Sequence, residues 1–259
     1  MLLVAAAFKG YAIKAQDGKI GVVADFLFDD RSWKLRWLVI DTGSWLSARK
    51  VLVHPSAIVK SDYDREELAV ALTMTQVEES PDISADAPVS RQMELSLYDY
   101  YGWNPIWGGG GLLATGDGIG AGAIGSPLSS PPFFTANTAS SSEEDEHLDP
   151  HLRSVSAVIG YHVHATDGTI GHIENLLIDD KAWAVQYMII DTKNWWPGKH
   201  VLLSPYAVSG VSWEDREIRL NVLREKVKTA PPWNPDAMIE QAYAEGLHHH
   251  YNWPGQSLY

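Results

Sequence analysis

Histidines and carboxylates carry the most chemistry in this 259-residue chain, because it has no cysteine and so no thiolate metal site or thiol nucleophile. His162, His164 and His172 flank the dipeptide Asp167-Gly168. Whether they converge depends on hairpin register. A two-residue loop pairs His164 with Gly171 and turns His172 to the other face, whereas a three-residue loop with a bulge sets His162 opposite His172. Only the second arrangement could chelate an ion, so these three are weak candidates and no metal is expected. His248-His249-His250 are consecutive, and helical neighbours point about 100° apart, so they cannot all face one ion inside a helix.

The carboxylates read as structural. Asp29-Asp30 and Asp179-Asp180 stand beside turn residues, where aspartate bonds its own backbone. Asp41 and Asp191 end apolar runs, where each caps the following loop or pairs with Arg49 or Lys199. Asp25 and Asn175 interrupt an apolar strand, which suggests a polar position facing solvent or bonding across the domain. No nucleophile with a base and no open metal site emerges, so the expectation is a non-enzymatic protein without a cofactor. Trp45-Leu46 next to Arg49-Lys50, and Trp195-Trp196 next to Lys199-His200, have the composition of interface anchors with a polar rim. The competing reading folds each tryptophan over the end of its own domain.

Most of these residues come in pairs 150 positions apart. Sliding the chain by that offset matches about 19 of 50 positions between Gly10 and Val59 without a gap, including Gly10-Tyr11 with Gly160-Tyr161 and Ile40-Asp41-Thr42 with Ile190-Asp191-Thr192. This is a tandem duplication. The elements that must position the candidates therefore occur twice. Gly10 to Ala15 and Ile20 to Phe28 form a hairpin about Asp17-Gly18, Trp33 to Asp41 is a third strand, and Arg49 to His54 is a fourth. Leu68, Val70 and Leu72 alternate as a fifth strand. Short strands at this spacing predict a small antiparallel barrel or sandwich. Thr73 to Gln76 has the capping-box spacing for a short helix to about Glu79, and Val89 to Tyr101 carries apolar residues at helical spacing, as does Pro235 to Tyr251. The fold class expected is mainly β: two tandem small antiparallel barrels, residues 1–105 and 151–259, each followed by a short helical tail.

Residues 106–150 differ in kind. They are rich in glycine, serine and proline, include Glu143-Glu144-Asp145-Glu146, and read as a flexible acidic linker. Gly108 to Gly111 is no phosphate loop, since no strand precedes it and no lysine follows. Phe133-Phe134 is a possible docking point for a partner or a barrel. The linker holds 6 of the 13 net negative charges, so the folded parts are only mildly acidic, which disfavours a DNA-binding surface. The apolar start, Met1 to Phe8, is too short for a secretory segment, and no window is long enough for a membrane span, so a cytoplasmic location is expected.

The pattern Gly10-Tyr11, Asp17-Gly18-x-Ile20-Gly21, Phe28-Asp29-Asp30 and Trp33, then Val39 to Leu46, Arg49 to Leu52, Pro55 and Ala57, closely resembles PRC-barrel domain proteins. That family is named after the cytoplasmic domain of the photosynthetic reaction-centre H subunit, and it includes the C-terminal domain of a ribosome-maturation factor. Gln76-Val77, Ser80-Pro81, Pro88 to Arg91 and Tyr100 to Trp103 look like its stand-alone bacterial branch. The second copy departs after Pro231. The resemblance implies a small β-barrel that binds a protein or a ligand. The leading expectation is a protein–protein interaction or assembly module with an unknown partner. Its two barrels would pair within the chain or in a homodimer. The alternatives are a small-ligand or metal-binding regulator and an RNA-processing or ribosome-associated factor.

Overall fold

Two seven-stranded sheets, one centred on each copy of the repeat, make up the fold in a computed structural model that describes residues 1–47, 49–81, 91–103, 151–192, 199–231, 233–234 and 239–254. The first copy contains β1 (Leu2–Val4), β2 (Ala12–Lys14), β3 (Lys19–Asp29), β4 (Leu35–Asp41), β5 (Lys50–Val53), β6 (Ile58–Asp62) and β7 (Glu67–Val70), then helices α1 (Met74–Glu78) and α2 (Arg91–Tyr101). The second contains β8 (Leu152–Ser154), the single turn α3 (Val155–Val158), and β9 (His162–Ala165) to β10 (Gly168–Asp179). It continues with β11 (Ala184–Asp191), β12 (His200–Leu203), β13 (Val208–Ser212), β14 (Glu217–Leu220), α4 (Arg224–Lys228) and α5 (Gln241–Tyr251).

Alternation sets most of these strands. In β9, Val163 and Ala165 are buried while His162 and His164 face out, and β7 alternates in the same way. The two strand orders are the same, β5-β4-β3-β2-β7-β6 and β12-β11-β10-β9-β14-β13. Two expectations need correction. Neighbouring strands pair antiparallel, but β2 with β7 and β9 with β14 are parallel. These pairs join the first and last strands of a unit, so no hairpin dictates their direction. The path is also open: among the described residues no ladder joins β5 to β6, or β12 to β13, into a closed barrel. β6, an edge strand with no apolar alternation, was legible only as the stretch between two turns.

The strand order conceals an exchange. β1 does not pair in its own sheet; it adds to β10, with Leu2 opposite Asp179, while β8 adds to β3, with Leu152 opposite Asp29. β2 covers one edge of β3 as far as Val22, and β8 completes that edge from Leu27 to Asp29. Uncovered, those backbone groups would be an open sheet edge. The two copies thus satisfy each other's edges around a pseudo-twofold relation. Both cores merge into one cluster, in which Trp183 packs 5.9 Å from Phe8 and 6.3 Å from Phe26 between ring centroids.

One glycine is required in each copy by close approach of the backbone. A Cβ on Gly21 would overlap the carbonyl oxygen of Asp41, and one on Gly171 that of Asp191. Each lies where β3 or β10 crosses from one neighbour strand to the next. The expected capping box is present: Thr73 Oγ1 accepts from the Gln76 amide and Gln76 Oε1 from the Thr73 amide. Asp17 reaches over from the hairpin turn to accept from the Met74 amide at 2.8 Å, tying α1 to the β2–β3 hairpin.

Candidate functional site

The turn aspartates hold the seam between copies. Asp29 Oδ1 accepts from the Ser32 amide and hydroxyl, each at 2.8 Å, closing the turn before Trp33. Asp30 reaches across, accepting from Arg153 Nε at 3.1 Å and lying 2.9 Å from His151 Nδ1. Its equivalent, Asp180, takes the amino terminus of Met1 at 2.5 Å and the hydroxyl of Tyr63. Burial and that carboxylate push the Tyr63 phenol up to about 12, which keeps it a donor at neutral pH.

Asp25 also works across the seam. Besides capping the Phe26 amide at a bulge in β3, it accepts from the hydroxyls of Ser154 (2.5 Å) and Ser156 (2.7 Å) in the second copy. Asn175 keeps the local bond to Leu176 but has only a long contact, 3.4 Å, to the Ala6 amide. A carboxylate and an amide at one pseudo-equivalent position therefore bind the other copy with unequal strength.

Asp41 caps the Trp-bearing loop through the Gly43 amide at 2.8 Å. The Arg49 guanidinium donates to the carbonyls of Glu78 and Ser80 at the end of α1. Thr42 and Thr192 close the two loops alike, their hydroxyls donating to the carbonyls of Arg49 and Lys199 at 2.6 and 2.7 Å. Trp45 and Leu46 lie on a short turn, Gly43–Leu46, half-buried against the core of their own copy. Lys50 starts β5 beside them, also half-buried. Trp195 and Trp196 lie outside the described residues. The seam runs through exchanged strands and turns, and among the described residues none of its ladders involves the Trp45-Leu46 loop.

The histidine hairpin takes the bulged register. His162 lies opposite His172, with the bulge between Thr169 and Gly171. The row extends sideways over five strands, from Glu217 through His162, His172 and Asp191 to His200, and directly opposed residues share a face. The first copy carries Glu67, Ala12, Val22, Asp41 and Lys50 in the same places. In and beside the second copy's row imidazoles face carboxylates, His164 with Glu217 at 3.5 Å, His200 with Glu174 at 3.0 Å and His172 with Asp191 at 4.0 Å. Among the described residues no three of these groups converge on one point. The C-terminal histidines separate as helical geometry requires: His248 is buried, with Nε2 3.0 Å from the Tyr187 hydroxyl, and His250 bonds to the Lys226 carbonyl.

Sequence reasoning missed a buried cluster under α2. Glu94, wholly buried, accepts from Arg36 at 2.5 Å and from Trp37 Nε1 at 2.6 Å. Arg36 also lies 3.6 Å from Asp29. Beside them His54 packs against Trp37, Tyr98 and Trp103 at 5.7 Å, and burial, helped by the Arg36 charge, holds its pKa down at about 4. The second copy replaces Arg36, Glu94, His54 and Tyr98 with Gln186, Ala244, Ser204 and His248. The only signal in the sequence was that Glu94 falls on the apolar side of its helix. No protein-family model and no curated protein compared with the chain matches it.

Proposed function

We propose that the chain is a non-enzymatic interaction or assembly module built from two PRC-type sheet units. The carrying observation is the reciprocal exchange of β1 and β8, which fixes two related sheets in one body while their outward faces have diverged. Its carboxylates and cations serve that body: Asp29, Asp30, Asp25, Asp180 and Arg49 hold turns, helix ends and the seam. A frame of this kind suits a scaffold that offers different surfaces to a partner from fixed positions. The half-exposed Trp45-Leu46 turn is the anchor assigned to the first copy. Capture from a native lysate with wild-type chain and with the Trp45→Ala, Leu46→Ala variant tests this. A stoichiometric protein retained by the first and lost by the second supports the reading; no stoichiometric protein with either sinks it.

A second reading, a metal-binding regulator, is favoured by the bulged register that sets His162 opposite His172. Two imidazoles across a sheet supply half of a tetrahedral shell. Metal analysis of untagged protein decides it, and protein free of metal at neutral pH removes it.

A further inference from the structure

The exchange of strands leaves different side chains on the two sides of the seam, with a cleft on one of them. We infer that the cleft beneath Tyr206, between the Asp30–Trp33 turn and β13, binds a small planar aromatic monoanion such as an aryl carboxylate.

The cleft has a volume of about 700 Å³, within the ordinary range for a small-ligand site. Its floor is rigid, with Asp30 holding Arg153, whose guanidinium lies 4.3 Å over the Trp213 ring. Tyr206, half exposed at 50%, stands on the opposite wall. Trp213 and Tyr206 thus offer two aromatic surfaces to a flat ring. Ser204 lines the same cleft, is 1% exposed, and its hydroxyl makes no hydrogen bond in the structure. A buried hydroxyl left unpaired is costly, and a ligand carboxylate that shifts the side chains covering it would give it a partner. Charge favours an anion: among the described residues lining the cleft, Asp30 already contacts Arg153 and His151, and Arg31 stands on the exposed rim.

On the opposite side of the seam the same positions are tied to other side chains. Tyr63, equivalent to Trp213, donates to Asp180 rather than leaving a ring face for Arg153's equivalent, which is Leu3. Arg36, equivalent to Gln186, is held by Glu94, and His54, equivalent to Ser204, sits among Trp37, Tyr98 and Trp103. The duplication therefore supplies an internal control, since Lys181 stands where Arg31 stands on the cleft side.

The test titrates 2-naphthoate into the full chain, followed by calorimetry and ligand-observed NMR, with 2-naphthylmethanol as the uncharged comparison. One molecule of 2-naphthoate is expected per chain, with the alcohol binding more weakly. Arg31→Gln and Tyr206→Ala, both at exposed side chains, are each expected to weaken it about tenfold, the size of one charged hydrogen bond or one ring contact. Lys181→Gln is expected to leave it unchanged. The inference is overturned if wild-type chain does not bind 2-naphthoate. Equal binding by Arg31→Gln and wild type also overturns it, as does a Lys181→Gln variant that loses as much as Arg31→Gln.

Discussion

Trp33 and Trp183, 150 positions apart, each accept a backbone hydrogen bond from the other copy: the Val185 amide donates to the Trp33 carbonyl at 2.8 Å, and the Leu35 amide to the Trp183 carbonyl at 2.7 Å. Both tryptophans take a left-handed backbone, φ 57° and 46°, which a bulky residue adopts only where its surroundings compel it. The compelling contact is the seam itself, so the strain and the twofold relation share one cause.

Residues 1–105 made alone keep β1 but lose β8, which leaves the Leu27–Asp29 edge of β3 uncovered. A second copy can supply its own β1 there, as β1 supplies β10 in the full chain. The half-chain is expected to be a twofold dimer by light scattering and the full chain a monomer; a monomeric half-chain with native circular dichroism would contradict this.

Glu94→Ala removes the shorter of Arg36's two carboxylate contacts and keeps the 3.6 Å one to Asp29, and breaking one side of a buried pair costs about 3–5 kcal/mol. The double variant Arg36→Gln, Glu94→Ala places the second copy's residues there and is expected to recover at least half of that loss in urea denaturation. Additive losses would show that the pair is not coupled.

His54 is held neutral by burial, with a folded pKa near 4 against about 6.5 when unfolded. Between these values the unfolded state binds the extra proton, so stability is full above pH 6.5 and falls as pH drops toward 4. The loss is on the order of 3 kcal/mol. Comparing denaturation at pH 7 and 4.5 in wild type and His54→Ser isolates it: the variant should lose markedly less stability on acidification, and identical acid limbs would refute the assignment.

Gly21→Ala and Gly171→Ala each force a methyl group onto a neighbouring carbonyl that cannot rotate away. Each is expected to cost about 3 kcal/mol, the upper range for overpacking. Gly246, in α5 with open space around its Cβ position, provides the contrast: Gly246→Ala should raise the melting temperature, since alanine in a helix interior is favoured by about 1 kcal/mol.

Asp25→Ala removes three bonds to Ser154 and Ser156, whereas Asn175→Ala removes one long contact across the seam. The first should be the more destabilising by about 1–2 kcal/mol, the worth of hydrogen bonds to a charged group. Equal losses in thermal melts would place Asp25's role in the bulge alone.

The duplication, the Asp-Gly hairpins, the capping box at Thr73 and the separation of His248 to His250 were all legible in the sequence, because each depends on residues within one turn or on a fixed 150-residue offset. The hairpin register at His162 and His172 was legible only as two alternatives, since the bulge between Thr169 and Gly171 that selects one is a matter of backbone placement that the residue types around the turn leave open. Other features had no local signal. Arg36 and Glu94 meet across 58 residues, and Asp25 finds Ser154 across 129. Above all, the edge strands β1 and β8 carry no mark saying which copy they complete. A strand's hydrogen-bonding groups are the same for either partner, so only the three-dimensional placement of two equivalent open edges decides that each copy closes the other.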